Sequence, residues 1–285
     1  MSATEPGRPR SWGQASLVGT AGVLGASGAV VFLATLLALH VFRPDLGIAS
    51  DYVSDYANGP YGAWFTVALY AHGVGNLALA TGLVLTLVPS RSGVRGSALL
   101  GVAAAGVLVA ATFPTDPPGA PSVAGTIHRA AVTGAFPIEV LALVLLGSAF
   151  KSSTGWPGWR RPTWQTAGLA ALTLTWFAVA VARDAAPGIP ERILLTTLAI
   201  WELSASVRLG RIRRRQRPAD APVPPPGEGE HHARTTSRAS SASVPPIRRR
   251  HRMLRSTDQF NRPKCPSASE VWPGAGRRRA PLERH

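Results

Sequence analysis

Four stretches of this chain contain no Asp, Glu, Lys or Arg: between Arg10 and Arg43, between Asp55 and Arg91, between Arg95 and Asp116, and between Arg161 and Arg183. Each is longer than the roughly 18 apolar residues that make a membrane-spanning helix the default reading. Two more stretches, Ile127 to Phe150 and Ile189 to Leu209, are also largely apolar, with only Glu139 and Glu202 charged in their interiors. These runs predict an all-α, polytopic transmembrane bundle of six spans at 17–42, 63–88, 97–113, 127–150, 163–182 and 189–209. A soluble bundle is excluded by segments such as Leu99 to Phe113, which has no polar stripe to turn toward water. The first run is about 26 residues, longer than the 7 to 15 of a signal-peptide core, and is read as a retained span.

The charges between the spans orient them. Arg8 and Arg10 precede the first span, Arg91 and Arg95 follow the second, Lys151, Arg160 and Arg161 follow the fourth, and a run from Arg208 to Arg217 follows the sixth. The alternate loops carry Arg43, no basic residue between Phe113 and Ile127, and Arg183. The positive-inside rule then places both termini in the cytoplasm and loops one, three and five outside a cell membrane. Arg129 and Arg192, just inside outward helix ends, are mild exceptions.

The formal charge of +15 belongs mostly to the C-terminal end. Up to Gly210 there are 12 basic and 9 acidic residues, and beyond it 18 and 6. That segment, 211–285, is rich in Arg, Pro and Ser and too poor in apolar residues to repay ordering, so it is expected to be a disordered cytoplasmic tail, as is the N-terminus over 1–16. Arg211, Arg213, Arg214, Arg215 and Arg217 abut a cytoplasmic helix end, where each contributes on the order of 1 kcal/mol toward anionic lipid headgroups. Nucleic-acid binding is not expected, because no aromatic residues interleave with these arginines as stacking platforms. The single cysteine, Cys265, excludes an intramolecular disulfide.

Within the spans, Gly19, Gly22, Gly25 and Gly28 recur every three positions, and Gly73, Gly75 and Gly82 punctuate the second helix. Small residues let helix backbones approach closely in lipid, so these glycines predict packing seams. Ionisable residues inside a span mark a function or a buried pair. At about 1.5 Å per residue from the expected outer ends, His72 lies about 14 Å deep, Asn76 and Glu202 about 20 Å and Glu139 about 18 Å. Four polar side chains on three helices thus share a depth and are candidates for substrate or proton handling. Glu139, two residues after Pro137, is expected to be protonated or paired with His72.

A second polar layer lies further out, with Asp51, Asp55 and Asn58 in loop one, Asp116 in loop three, His128, and Asp184, Glu191 and Arg192 around loop five. His128 and Glu139 are eleven residues apart and line one helix face, a route for protons inward. Tyr52, Tyr56, Tyr61 and Trp64 suit an interfacial aromatic belt. Carboxylates with an imidazole can bind zinc or manganese, which makes Asp51, Asp55, Asp116 and His128 a conceivable metal set, but no compact ligand spacing supports it and no metal or cofactor is assigned. No G-x-S-x-G turn points to nucleophilic catalysis.

The runs SDYANGPYGAWF (Ser54 to Phe65), FPTDPPG (Phe113 to Gly119) with GTIHR (Gly125 to Arg129), and PGIPERI (Pro187 to Ile193) with Trp201 and Arg208 occur in order and in helical context. In these the chain resembles the bacterial and archaeal six-helix membrane family known as domain of unknown function 998. The resemblance covers about residues 17–210 and implies a multipass membrane protein without an established activity. Three functions fit: a small-molecule or lipid binding or transport protein with an outward-facing polar pocket; a membrane-embedded hydrolase or lipid-modifying enzyme using Asp116 and His128 as base and orienting pair; and a structural or signalling subunit. The non-enzymatic binding protein is preferred.

Overall fold

The computed structural model describes residues 12–117 and 119–216. Among these there are six α-helices and no strand: α1 (Trp12–Phe42), α2 (Gly62–Leu87), α3 (Arg91–Thr112), α4 (Val123–Phe150), α5 (Arg160–Ala182) and α6 (Gly188–Gln216). A short 3-10 helix, Val53–Ala57, lies in the connection from α1 to α2. All six α-helices are long and apolar enough to cross a membrane. The protein is therefore an all-α polytopic bundle.

Most of these helices extend past the spans that hydropathy marks out. α3 opens at Arg91 rather than 97, with Ser90 capping it by accepting the Gly93 N–H, so Arg91 and Arg95 stand on its first turns and not in a loop. α4 opens at Val123, capped by Ser122. α1 already includes residues 12–16, and α6 continues to Gln216, six residues beyond the expected end of the domain. Apolar runs report the thickness of the hydrocarbon, whereas backbone hydrogen bonding continues as far as a cap or a breaker allows. The disorder expected for 1–11 and 217–285 lies outside the described residues.

Each helix packs on the next in chain order, and α6 closes the ring against α1 while also touching α2. Glycines bring these seams together. Gly28 on α1 faces Gly75 on α2, and Gly22 lies against the α6 backbone at Ser206 and Gly210. Outward-facing Leu37, Val67, Val74, Leu172, Trp176 and Ile200 are exposed, as a surface bathed in lipid requires. Inside, one apolar cluster centres on Phe32, Leu39, Val53, Tyr56 and Phe65 near the end of the bundle that carries the α1–α2 connection, called the upper end below. Another includes Leu83, Leu100, Leu143, Leu146, Trp156 and Leu209. Along α2, His72 and Asn76 fall between Phe65 of the first cluster and Leu83 of the second.

At the lower end the α4–α5 connection folds back beneath the helices. Trp156 is fully buried, stacks on Phe150 with ring centroids 4.7 Å apart, and donates its indole N–H to Thr86 Oγ1 at 3.3 Å. Arg208 anchors the same connection by donating to the Gly155 carbonyl at 3.1 Å.

The ring seams give a direct prediction. A Cβ on Gly28 would press into the Ala71 carbonyl oxygen, which is backbone and cannot step aside, whereas a Cβ on Gly168 meets nothing within 4 Å. Gly28→Ala should destabilise the protein by about 1–3 kcal/mol, an overpacking cost, while Gly168→Ala should be neutral or slightly stabilising; thermal unfolding in detergent separates the two.

Candidate functional site

The upper end is organised by two adjacent residues on the first turn of α6. Glu191 accepts the Val53 N–H at 2.7 Å, satisfying a free donor at the start of the 3-10 helix. Arg192 donates through Nη1 to the carbonyls of Asp51 (2.8 Å) and Gly188 (3.1 Å), through Nη2 to the Tyr56 hydroxyl (3.4 Å), and through Nε to His40 Nε2 (3.0 Å). His40 in turn places Nδ1 2.6 Å from the Leu36 carbonyl. Since a carbonyl only accepts, that nitrogen carries the proton and Nε2 is left as the acceptor that Arg192 needs. Loop one is held from the other side by Arg43, which forks onto Asp45 (2.9 and 2.8 Å) and donates to the carbonyls of Asn58 and Pro60 (2.6 and 3.2 Å). Asn58 reaches loop three, donating to the Asp116 carbonyl at 3.5 Å.

Between the fixed loop and α4 and α5 lies a pocket of about 560 Å³, within the range of small-molecule sites. Asp51, Asp55, Asp116 and Glu191 contribute carboxylates to its lining, and Phe136 and Phe177 contribute apolar surface. Asp116 accepts the Ser122 hydroxyl at 2.6 Å, lies against Gly125 where a side chain would displace it, and sits 3.5 Å from the exposed Arg129. Its carboxylate thus reinforces the start of α4, where the helix dipole favours negative charge. Asp55 accepts the Tyr52 N–H at 2.9 Å. Burial holds its carboxyl above the ordinary carboxylate range, against the opposing pull of that hydrogen bond. Tyr52 is likewise raised, by burial and then by the charges of Glu191 and Asp55.

His128 stands where this pocket narrows. It is 4% exposed, and its Nδ1 lies 3.0 and 2.9 Å from the carbonyls of Ala110 and Phe113. Two carbonyl partners require Nδ1 to be the donor, which in the neutral ring leaves Nε2 as the acceptor, and Nε2 has no hydrogen-bond partner. Below it a cavity of about 50 Å³ runs down to His72 and Glu139, enough for a few waters. His128, Val132, Phe136 and Glu191 line both spaces.

At the bottom, His72 and Asn76 from α2, Glu139 from α4 and Glu202 from α6 meet in the centre of the ring, with exposures of 5, 3, 4 and 0%. Asn76 Nδ2 donates to Glu202 Oε1 in a short hydrogen bond. His72 stacks on Phe32 and places Nδ1 3.5 Å from Glu202 Oε2. The carboxyls of Glu139 and Glu202 lie close to each other. Two neighbouring carboxyls repel when both are ionised, so the pair is suited to holding one proton between them.

Several sequence expectations change here. Tyr56 is not at the interface: it is fully buried beneath Arg192, because loop one folds into the bundle. Tyr61 and Trp64 are exposed and cluster with Phe42. Glu139 lies near His72, as the sequence suggests, and also meets Glu202, a partner that depth alone does not name. Asp116 and His128 both line the pocket but share no hydrogen bond, since His128 Nδ1 is committed to carbonyls and its Nε2 has no partner. Among the described residues no three His, Cys, Asp or Glu side chains converge on a possible metal position, so Asp51, Asp55, Asp116 and His128 are not gathered into one. Asp184 stays on the exposed turn after α5. His40 and Arg43 were not singled out by sequence; the only signal was an imidazole one turn from the arginine that ends the first apolar run.

A six-helix, multi-pass membrane protein with a polar pocket at one end and buried carboxyls at its centre is the class this fold defines. The chain belongs to the family described as "Protein of unknown function (DUF998)", whose model matches residues 26–208. No curated protein and no solved structure matches it.

Two substitutions probe this geometry. Asn76→Ala leaves Glu202 Oε1 buried without its donor and should destabilise the protein by about 1–3 kcal/mol, measurable by reversible unfolding in detergent. A carboxyl held above its unfolded pKa favours the folded state fully only below the ordinary carboxylate range, and that contribution is lost as pH rises through the raised value. Asp55→Asn, which keeps an acceptor for Tyr52, should therefore melt higher than the wild type at neutral pH and lose that advantage in acid.

Proposed function

We propose that the protein binds a small molecule or a single lipid in the upper pocket, on the extracytoplasmic side of the cell membrane, and exchanges a proton between that pocket and the Glu139–Glu202 pair. The observation that carries this reading is the adjacency of the two spaces, which share Ser54, His128, Val132, Phe136 and Glu191 as their common wall. A polar pocket, a buried imidazole and a pair of neighbouring carboxyls follow one another from the upper end toward the centre of the bundle, an arrangement suited to linking binding with protonation. Buried polar atoms of His72, Glu139 and Glu202 that lack hydrogen-bond partners give a water or a proton somewhere to go.

Orientation is supported by the charges. Arg91, Arg95, Lys151, Arg160, Arg161 and Arg208 lie at the lower end, against Arg43, Arg129, Arg183 and Arg192 at the upper, and the lower arginines continue into the basic run from Arg211. That run is suited to anionic headgroups there.

The test is a stability screen of purified protein against organic cations, organic anions, neutral polar molecules and short-chain lipids. At least one class should raise the melting temperature of the wild type, Val132→Trp, which fills the junction of the two spaces, should abolish that rise, and Glu139→Gln should flatten its pH dependence. Stabilisation by no class, or stabilisation that Val132→Trp leaves intact, overturns the reading.

A further inference from the structure

We propose that the ligand of the upper pocket is a protonated primary or secondary amine carrying an apolar body. The proposal rests on the binding function above and names its chemical class. Four carboxylates, Asp51, Asp55, Asp116 and Glu191, line the pocket against one lining cation, Arg129, which is exposed and already set against Asp116. Arg192 lies behind the loop and spends its donors on carbonyls, a hydroxyl and His40. An organic anion would therefore enter a field of its own sign, and a neutral ligand would leave the carboxylates without a counter-charge.

The acidic rim alone would also suit a metal ion, but no three ligating side chains converge there among the described residues. What selects an amine is the unpartnered His128 Nε2. Its ring is buried and the Ala110 and Phe113 carbonyls hold the ring proton on Nδ1, so in the neutral imidazole Nε2 is the acceptor. A ligand that fits must supply an N–H or O–H there together with positive charge for the rim. A quaternary ammonium supplies the charge without the donor. The far wall accounts for the apolar body: Tyr52, Phe177 and Phe136 form a row of edge-on rings with centroids 6.2 and 6.3 Å apart, and aromatic faces attract organic cations and their alkyl substituents.

The experiment compares four probes of one shape, benzylamine, benzyltrimethylammonium, benzyl alcohol and benzoate, as stabilisers of the full-length protein in detergent at neutral pH. Benzylamine should give a saturable rise in melting temperature, benzyltrimethylammonium a weaker one, and the other two none. Asp55→Asn and Phe177→Ala should each weaken the benzylamine response by about tenfold in concentration. These two variants leave the His128 carbonyl bonds in place, and Asp55→Asn keeps the Tyr52 hydrogen bond, so loss of response is readable apart from loss of fold. Benzoate or benzyl alcohol matching benzylamine, equal responses to the primary and quaternary amines, or responses untouched in both variants would each overturn the amine assignment. If another class stabilises the wild type but not Val132→Trp, the pocket stands and the amine fails; if none does, both fail.

Discussion

In hydrocarbon a polar side chain has no water to fall back on, so its partners must come from another helix. This protein resolves that constraint largely along α6. Glu202 is wholly buried and takes Asn76 from α2, while Glu139 reaches it from α4 and His72 lies beside it. About three turns up the same helix, Glu191 and Arg192 do the equivalent for loop one. The apolar contacts and glycine seams around the ring bring the helices close. The polar ones on α6 determine at which height α2, α4 and loop one must stand.

The two polar layers differ in kind. At the upper end most polar groups have a named partner, and many of those partners are backbone atoms, which makes the layer a scaffold for a pocket. In the centre, polar atoms of His72, Glu139 and Glu202 have no hydrogen-bond partner. Buried groups left in that condition are destabilising and persist where something else depends on them. His128 belongs to both regimes, with one ring nitrogen fixed by the backbone and the other open.

The spans were readable because a run of roughly 20 residues without a charge suits little besides a membrane-crossing helix. The central four residues were readable because depth is a matter of counting from a helix end. Helix termini were less so: Arg91 and Arg95 interrupt an apolar run but not a helix whose cap lies at Ser90. The burial of Tyr56 is not legible in sequence, because interfacial preference says nothing about a loop that folds inward, and the groups packed on it, His40 and Arg192, lie on the two helices that close the ring. His40 carried no local mark for the same reason. Asp116 and His128 line the same pocket, but their partners, Ser122 and two carbonyls, are not encoded in spacing.

Ring closure also dictates an order of events. Helices that pack in chain sequence can associate as they enter the membrane, but α1 meets α6 only when the last span has arrived. Until then the glycine face of α1 has no α6 to cover it, loop one has no Arg192 to hold it, and Asn76 has no Glu202. A partly made chain therefore lacks the central pair and the hold on loop one, and both come into being in one step when the last span arrives.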